Sequence, residues 1–283
     1  MAKIISFCNH KGGVGKTTSA VNIARGISED IKRVLLLDLD PQANATQAVG
    51  LDPYTVEHNI YGVLRGKYEL TDAISISKNE PNIAIVPACL DLVAAESQLI
   101  NELGRERIVE SLLASVRDDY DYILIDCPPS LGILTINALT ASNAVLIPVQ
   151  PHFFAVQGLQ QLLDVIERIK RSLNLFLHVG GVFATDYDSR VKMHRDALSA
   201  IEQAFPKELF KTQIRHNVAL SEAAARGVSI FTYDPRSNGA ADYGALSREI
   251  IERFETDADS ELVKIQAIQT IQKAQKTRKN GKK

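Results

Sequence analysis

Ile4-Ile5-Ser6-Phe7-Cys8-Asn9-His10-Lys11-Gly12-Gly13-Val14-Gly15-Lys16-Thr17-Thr18-Ser19-Ala20-Val21-Asn22-Ile23-Ala24 decides the fold. An apolar run feeds a glycine-rich loop, and the loop opens a helix-compatible run. Strand, glycine loop, helix is the context in which such a loop binds phosphate. Glycines let backbone N–H groups turn inward, and the helix N-terminus adds positive potential. Lys16 supplies a point charge for the β- and γ-phosphates of a nucleotide, and the Thr17 hydroxyl is suited to Mg²⁺, which prefers oxygen ligands. The usual template is Gly-x-x-x-x-Gly-Lys-[Ser/Thr]. Here His10 stands at its first glycine, and Lys11 adds a second cation at the start of the loop. A glycine turn between solvated lysines is the bland alternative, and the order of residues between strand and helix weighs against it.

Working outward, apolar runs alternate with amphipathic ones. Strands are predicted at Ile4–Phe7, Val34–Asp38, Ile83–Pro87, Tyr122–Asp126, Ala144–Val149 and Val179–Ala184. These runs are rich in Ile, Val and Leu and read as buried on both faces. Helices are predicted at Thr17–Ser28, Arg105–Arg117, Thr135–Ala141, Val156–Ser172, Met193–Phe205 and Ala240–Phe254. The alternation predicts an α/β fold: a doubly wound, mostly parallel sheet with helices on both faces, its ligands outside the C-terminal strand ends.

Two further positions carry chemistry. Asp38-Leu39-Asp40-Pro41-Gln42-Ala43-Asn44-Ala45-Thr46 follows the second strand. Its alternating carboxylates face one side, because strand side chains have a period of two. Beside a phosphate loop they are suited to hold magnesium waters or orient an attacking water. The fourth strand ends Ile125-Asp126-Cys127-Pro128-Pro129, and an aspartate closing an apolar strand there is the Walker-B arrangement, holding Mg²⁺ through a water. Strand-end aspartates also serve as turn caps, and proximity to the loop favours the functional reading. Cys127 reads as a small buried group rather than a nucleophile.

The 283 residues are 45% hydrophobic and 23% charged, which fits one large domain. The net charge of −2 gives the whole molecule no bias toward nucleic acid. Cys8, Cys89 and Cys127 are far apart, which argues for a reducing compartment and against a zinc or disulfide framework. The start lacks a signal-peptide core, and no apolar stretch reaches the ~18 residues of a membrane span, so a cytoplasmic protein is expected. Residues 1–255 read as one phosphate-binding α/β domain. Residues 256–283 read as an acidic link, a weakly amphipathic helix and a basic tail, either solvated or in contact with nucleic acid or a partner, with membrane anchoring the weakest alternative.

These motifs resemble the ParA/MinD/Soj family of deviant-Walker ATPases, and Soj-like ParA proteins most closely. The likeness rests on Lys11 to Thr18, Asp38 to Thr46 and Asp126-Cys127-Pro128-Pro129-Ser130-Leu131-Gly132. It extends to Thr135 to Ala141, Asn217 to Ala223 and Tyr233-Asp234-Pro235-Arg236-Ser237. The resemblance implies an ATPase that is slow alone and stimulated by a ParB-like or small adaptor protein. It implies ATP and Mg²⁺ as ligands and a homodimer when ATP is bound. Gly12, Gly13, Val14 and Gly15 fall in the phosphate-wrapping loop. Lys11 matches a signature lysine that reaches the partner protomer's phosphates. Lys16 and Thr17 match the phosphate and Mg²⁺ positions within one chain, with Thr18 near the α-phosphate. Asp40 matches the carboxylate that positions the hydrolytic water, with Asp38 beside it. Asp126 matches the Walker-B aspartate, and Asn217 lies in the segment that touches the adenine.

The resemblance also implies non-specific binding to nucleoid DNA by the ATP-bound dimer. Soj-like proteins usually carry Pro-Arg-Asn-Val-Arg where this chain has Arg215-His216-Asn217-Val218-Ala219, so one expected cation is missing. Arg190, Lys192, Arg215 and Arg226 are the remaining candidates for phosphate contact. The chain starts on its first strand, so the helix-turn-helix extension of larger plasmid ParA proteins is expected to be absent, and with it operator binding. A MinD-like membrane-associated ATPase that positions division machinery is the alternative, and 262–274 is a poor match to the amphipathic helix it needs. An iron–sulfur carrier on the same fold would need paired cysteines, which the three here do not supply.

Overall fold

The structure, a computed structural model, describes residues 1–152 and 155–256. The link, helix and tail expected over 256–283 lie outside the described residues, except residue 256, which is helical. Among the described residues one sheet holds β1 Lys3–Phe7, β2 Val34–Asp38, β3 Ser75–Ile76, β4 Ala84–Val86, β5 Tyr122–Asp126, β6 Ala144–Val149 and β7 His178–Ala184. The strand order is β3-β4-β2-β5-β1-β6-β7. Every pairing is parallel except β3 with β4. The expected doubly wound, mostly parallel sheet is therefore present.

Period-two alternation divides the sheet residues between two cores. Ile4, Leu35, Leu37, Ile123, Ile125, Val145 and Ile147 point to one face. Ile5, Phe7, Val34, Leu36, Leu124 and Leu146 point to the other. Helix α1, Lys16–Ser28, buries Ala20, Val21, Ile23, Ala24 and Ile27 on the second face. The remaining helices are α2 Asn44–Ala48, α3 Ile60–Leu64, α4 Val93–Leu99, α5 Ile108–Leu113, α6 Ile133–Ala141, α7 Ala155–Ser172, α8 Lys192–Ala204, α9 Val218–Ala225, α10 Ile230–Tyr233 and α11 over 238–256. Helices α6 and α7 cover the first face. Leu159, Leu162, Ile166 and Ile169 of α7 form the stripe that helical spacing requires. Because α1 leaves β1 on one face and α6 leaves β5 on the other, a crevice opens at the carboxyl ends of these neighbouring strands.

Two expectations need correction. The helix predicted over Arg105–Arg117 is a 3-10 turn at Arg105–Arg107 followed by α5, which ends at Leu113. The Asn137 amide sets that break by donating to the Arg105 carbonyl (2.6 Å) and accepting from the Val109 amide (3.1 Å). The sheet also gains the short antiparallel edge β3.

Close packing under β7 gives a stability prediction. A Cβ on Gly181 would collide with the ring of fully buried Phe210. Gly181→Ala is expected to cost about 2 kcal/mol through overpacking, read as a lower urea midpoint at unchanged m-value.

Candidate nucleotide site

The loop between β1 and α1 is fixed by its carbonyls. Gln150 Nε2 donates to the Gly13 carbonyl at 3.1 Å, Thr185 Oγ1 to the Val14 carbonyl at 2.8 Å, and Lys16 Nζ to the Lys11 carbonyl at 3.2 Å. Asn9 accepts from the Lys11 amide at 3.1 Å and donates to the Pro148 carbonyl at 2.9 Å. Three loop carbonyls are thus satisfied by protein donors. Gly13 and Gly15 take left-handed φ values of 73° and 84°, a conformation that suits loop N–H groups to an anion. Gln150 and Thr185 stand just past β6 and β7. Sequence reasoning missed both, and the available signal was a polar residue closing an apolar strand.

Lys16 is 6% exposed. Among the described residues no carboxylate forms an ion pair with Lys16 or Lys11. The Lys11 side chain lies against α7, where a Cβ on Gly158 would sit 3.2 Å from its Cε and 3.6 Å from its Nζ. Both cations are therefore placed to meet a bound anion.

Asp38 and Asp126 are register partners across β2 and β5 and share the face on which α1 packs. Both are fully buried, yet their surroundings differ. Asp38 Oδ2 accepts from the Thr46 amide (2.8 Å) and hydroxyl (2.7 Å), and Oδ1 accepts from the Asp40 amide (3.1 Å). Burial raises its carboxyl to about 6, against the opposing pull of the Thr46 and Asp40 donors. No hydrogen bond of normal geometry reaches either Asp126 oxygen. Burial, then the Asp38 charge, push its carboxyl well above the usual range, while nearby Thr17 and Lys16 favour the charged form. A buried carboxylate with two unpartnered oxygens beside a threonine hydroxyl fits a divalent cation held directly or through water.

Asp40 is 5% exposed and accepts from the Gln42 amide at 2.9 Å. It lines a cleft of about 500 Å³ together with Gly12, Lys16, Thr17, Gln42, Asn44, Gln47 and Ala224. An adjoining recess of about 310 Å³ is lined by Thr18, Thr185, Asp186, His216 and Asn217. Asn217 caps α9 by accepting from the Ala219 amide, so its oxygen is spent locally while the residue still borders the recess. Gly12, Gly13, Gly15 to Thr18 and Asp40 thus line the cleft, Asp126 is buried beside Thr17 and Lys16, and Asn217 lines the adjoining recess.

Three of the four candidate DNA contacts come from adjoining segments, because Tyr187, just before Arg190 and Lys192, bridges Arg215. Arg190 pairs with Asp188 through Nη2 at 2.8 Å, and Lys192 is exposed at the start of α8. Arg215 grips Asp242 of α11 through Nε and Nη2. Arg226, beyond the other end of α9, lies 5.1 Å over the Tyr233 ring.

The chain is similar to known proteins over most of its length. The AAA domain family matches residues 2–179. The sporulation initiation inhibitor protein Soj of Bacillus subtilis is 43% identical over 250 residues, covering 88% of this chain and 98% of that protein. The chromosome-partitioning ATPase Soj of Treponema pallidum is 42% identical, covering 89% and 98%. The crystal structure of cobyrinic acid a,c-diamide synthase from Mycobacterium smegmatis with bound ADP and magnesium superposes with a TM-score of 0.80 at 32% identity, covering 91% and 97%. The AAA domain match, the near full-length Soj relatives and the phosphate loop with its extra lysine place this chain in the ParA/MinD/Soj family of deviant-Walker P-loop ATPases.

Proposed function

We propose that this protein is a ParA-type positioning ATPase. It forms an ATP-dependent sandwich dimer, binds DNA non-specifically, and segregates or positions a cargo through partner-stimulated hydrolysis. The observation that carries this reading is Lys11, a phosphate-loop cation with no carboxylate partner among the described residues. A lysine contributed across a dimer makes closure depend on ATP and hydrolysis depend on closure.

In this reading the loop N–H groups and Lys16 hold the phosphates of ATP. Thr17 and Asp126 would hold Mg²⁺, with Asp38 beside them, and the ion would supply positive charge to offset that of the phosphates. Asp40 orients the attacking water. Residues 216–218 border the base, and Gly12 to Thr18 wrap the phosphates. Phosphoryl transfer needs positioning more than covalent chemistry, so this set of residues suffices. The partner is a ParB-like or small adaptor protein, and the working place is cytoplasmic and nucleoid-associated. Arg190, Lys192, Arg215 and Arg226 are the proposed phosphate contacts on DNA. Residues 1–255 form the ATPase unit in this reading. The diamide-synthase relative points to another reaction, but it is less similar than the partition ATPases. No helix among the described residues is long and apolar enough to cross a membrane.

Co-sedimentation tests the reading. Plasmid DNA is expected to carry the protein down with ATP but not with ADP, and less as salt rises, because the contacts are to phosphates. Sedimentation with anionic liposomes but not with DNA would overturn it in favour of the MinD-like alternative.

A further inference from the structure

We propose that Thr46 is a positioning residue for Asp40, acting through Asp38; the inference rests on the ATPase reading above. The Thr46 hydroxyl is a relay. It donates to Asp38 Oδ2 at 2.7 Å and accepts from the Ala88 amide at 2.9 Å. The Thr46 amide reaches the same carboxylate oxygen at 2.8 Å. The other oxygen, Oδ1, receives the Asp40 amide at 3.1 Å. Thr46 and Asp38 are both fully buried. One side chain thereby ties together the end of β2, helix α2 and the turn after β4.

Two features show that this turn needs holding. Ala43, between Asp40 and α2, takes φ +52°, a left-handed conformation that an alanine adopts only where its surroundings enforce it. Its amide donates to the Asp40 carbonyl at 2.8 Å, so any relaxation of Ala43 moves Asp40. The two neighbouring carboxylates also divide the work. Asp126 keeps both oxygens open, whereas all three donors on Asp38 come from its own chain. The geometry thus assigns Asp38 to the loop that carries Asp40. Because the phosphate loop is anchored separately by Gln150 and Thr185, loosening Thr46 should disturb the attack and not the binding of ATP.

The test uses the full chain with Thr46→Val, Thr46→Ser and Thr46→Cys. Valine keeps the shape and removes the relay. Its kcat for ATP is expected to fall about tenfold with KM within about twofold, because a small misplacement of a reacting group costs rate rather than affinity. Serine is expected to restore kcat, and cysteine, a weak donor, to fall between, which keeps the series decisive if the valine variant folds poorly. Hydrogen exchange without nucleotide gives a second readout: amides of 40–47 should exchange faster in Thr46→Val, with those of α1 and β5 unchanged. A serine variant as slow as valine, a loss confined to KM, or unchanged exchange at 40–47 overturns the proposal. If the wild-type chain hydrolyses no ATP yet valine loosens 40–47 and serine restores it, the clamp stands and the ATPase reading falls. If the wild type turns over and Thr46→Val changes neither readout, the clamp falls and the ATPase reading stands.

Discussion

Alanine in place of Asp40 is expected to lower ATP turnover about 100-fold while ATP still binds, the size of effect found when a group that handles the attacking water is removed. Asp40 lines the cleft beside Gly12, Lys16 and Thr17, but it holds none of the loop carbonyls that shape the phosphate cradle. Its loss should therefore fall on kcat. The Gln42 amide loses its acceptor, which costs about 1 kcal/mol and leaves the fold intact. Single-turnover hydrolysis and titration with a fluorescent nucleotide separate the two quantities. A variant with normal turnover, or one that no longer binds ATP, would remove Asp40 from the proposed role.

The second large effect concerns Lys11. Lys11→Ala is expected to reduce partner-stimulated hydrolysis about 1,000-fold, comparable to loss of a cation supplied in trans to a phosphoryl group. A mixing experiment decides whether the lysine acts across the dimer. In a mixed dimer of Lys11→Ala and Asp40→Ala, one of the two sites has its own Asp40 and the partner's Lys11. Two nearly inactive proteins should then recover part of the wild-type rate when combined. If Lys11 served its own protomer, every site in the mixture would lack one group and no activity would return.

Much of this site was legible in the sequence because its parts are local. The strand, loop and helix around Lys11 to Thr18 lie within one stretch, and Asp38 and Asp126 each close an apolar run. What escaped depends on distant partners. Arg215 reads as a free surface cation until Asp242, 27 positions later, grips it. Asp38 reads like Asp126 until Thr46 folds back on it. Helices α2 and α3 span five residues each, too short for a 3.6-residue period to show. The break before α5 is made by Asn137, a side chain from another helix.

The place of β1 in the sheet sets a schedule for the newborn chain. Lys3 pairs with Tyr122, and Ile5 with Ala144, so the segment made first must wait for more than half of the described chain before its neighbours exist. Tyr243 of α11 then reaches the Ser19 hydroxyl at 3.0 Å, adding one of the last contacts to the helix behind the phosphate loop. Contacts of such long separation slow folding. On the ribosome, the ability to hold a nucleotide should therefore wait until α11 has been made, and until then the apolar Ile4–Phe7 segment is a natural client for a chaperone.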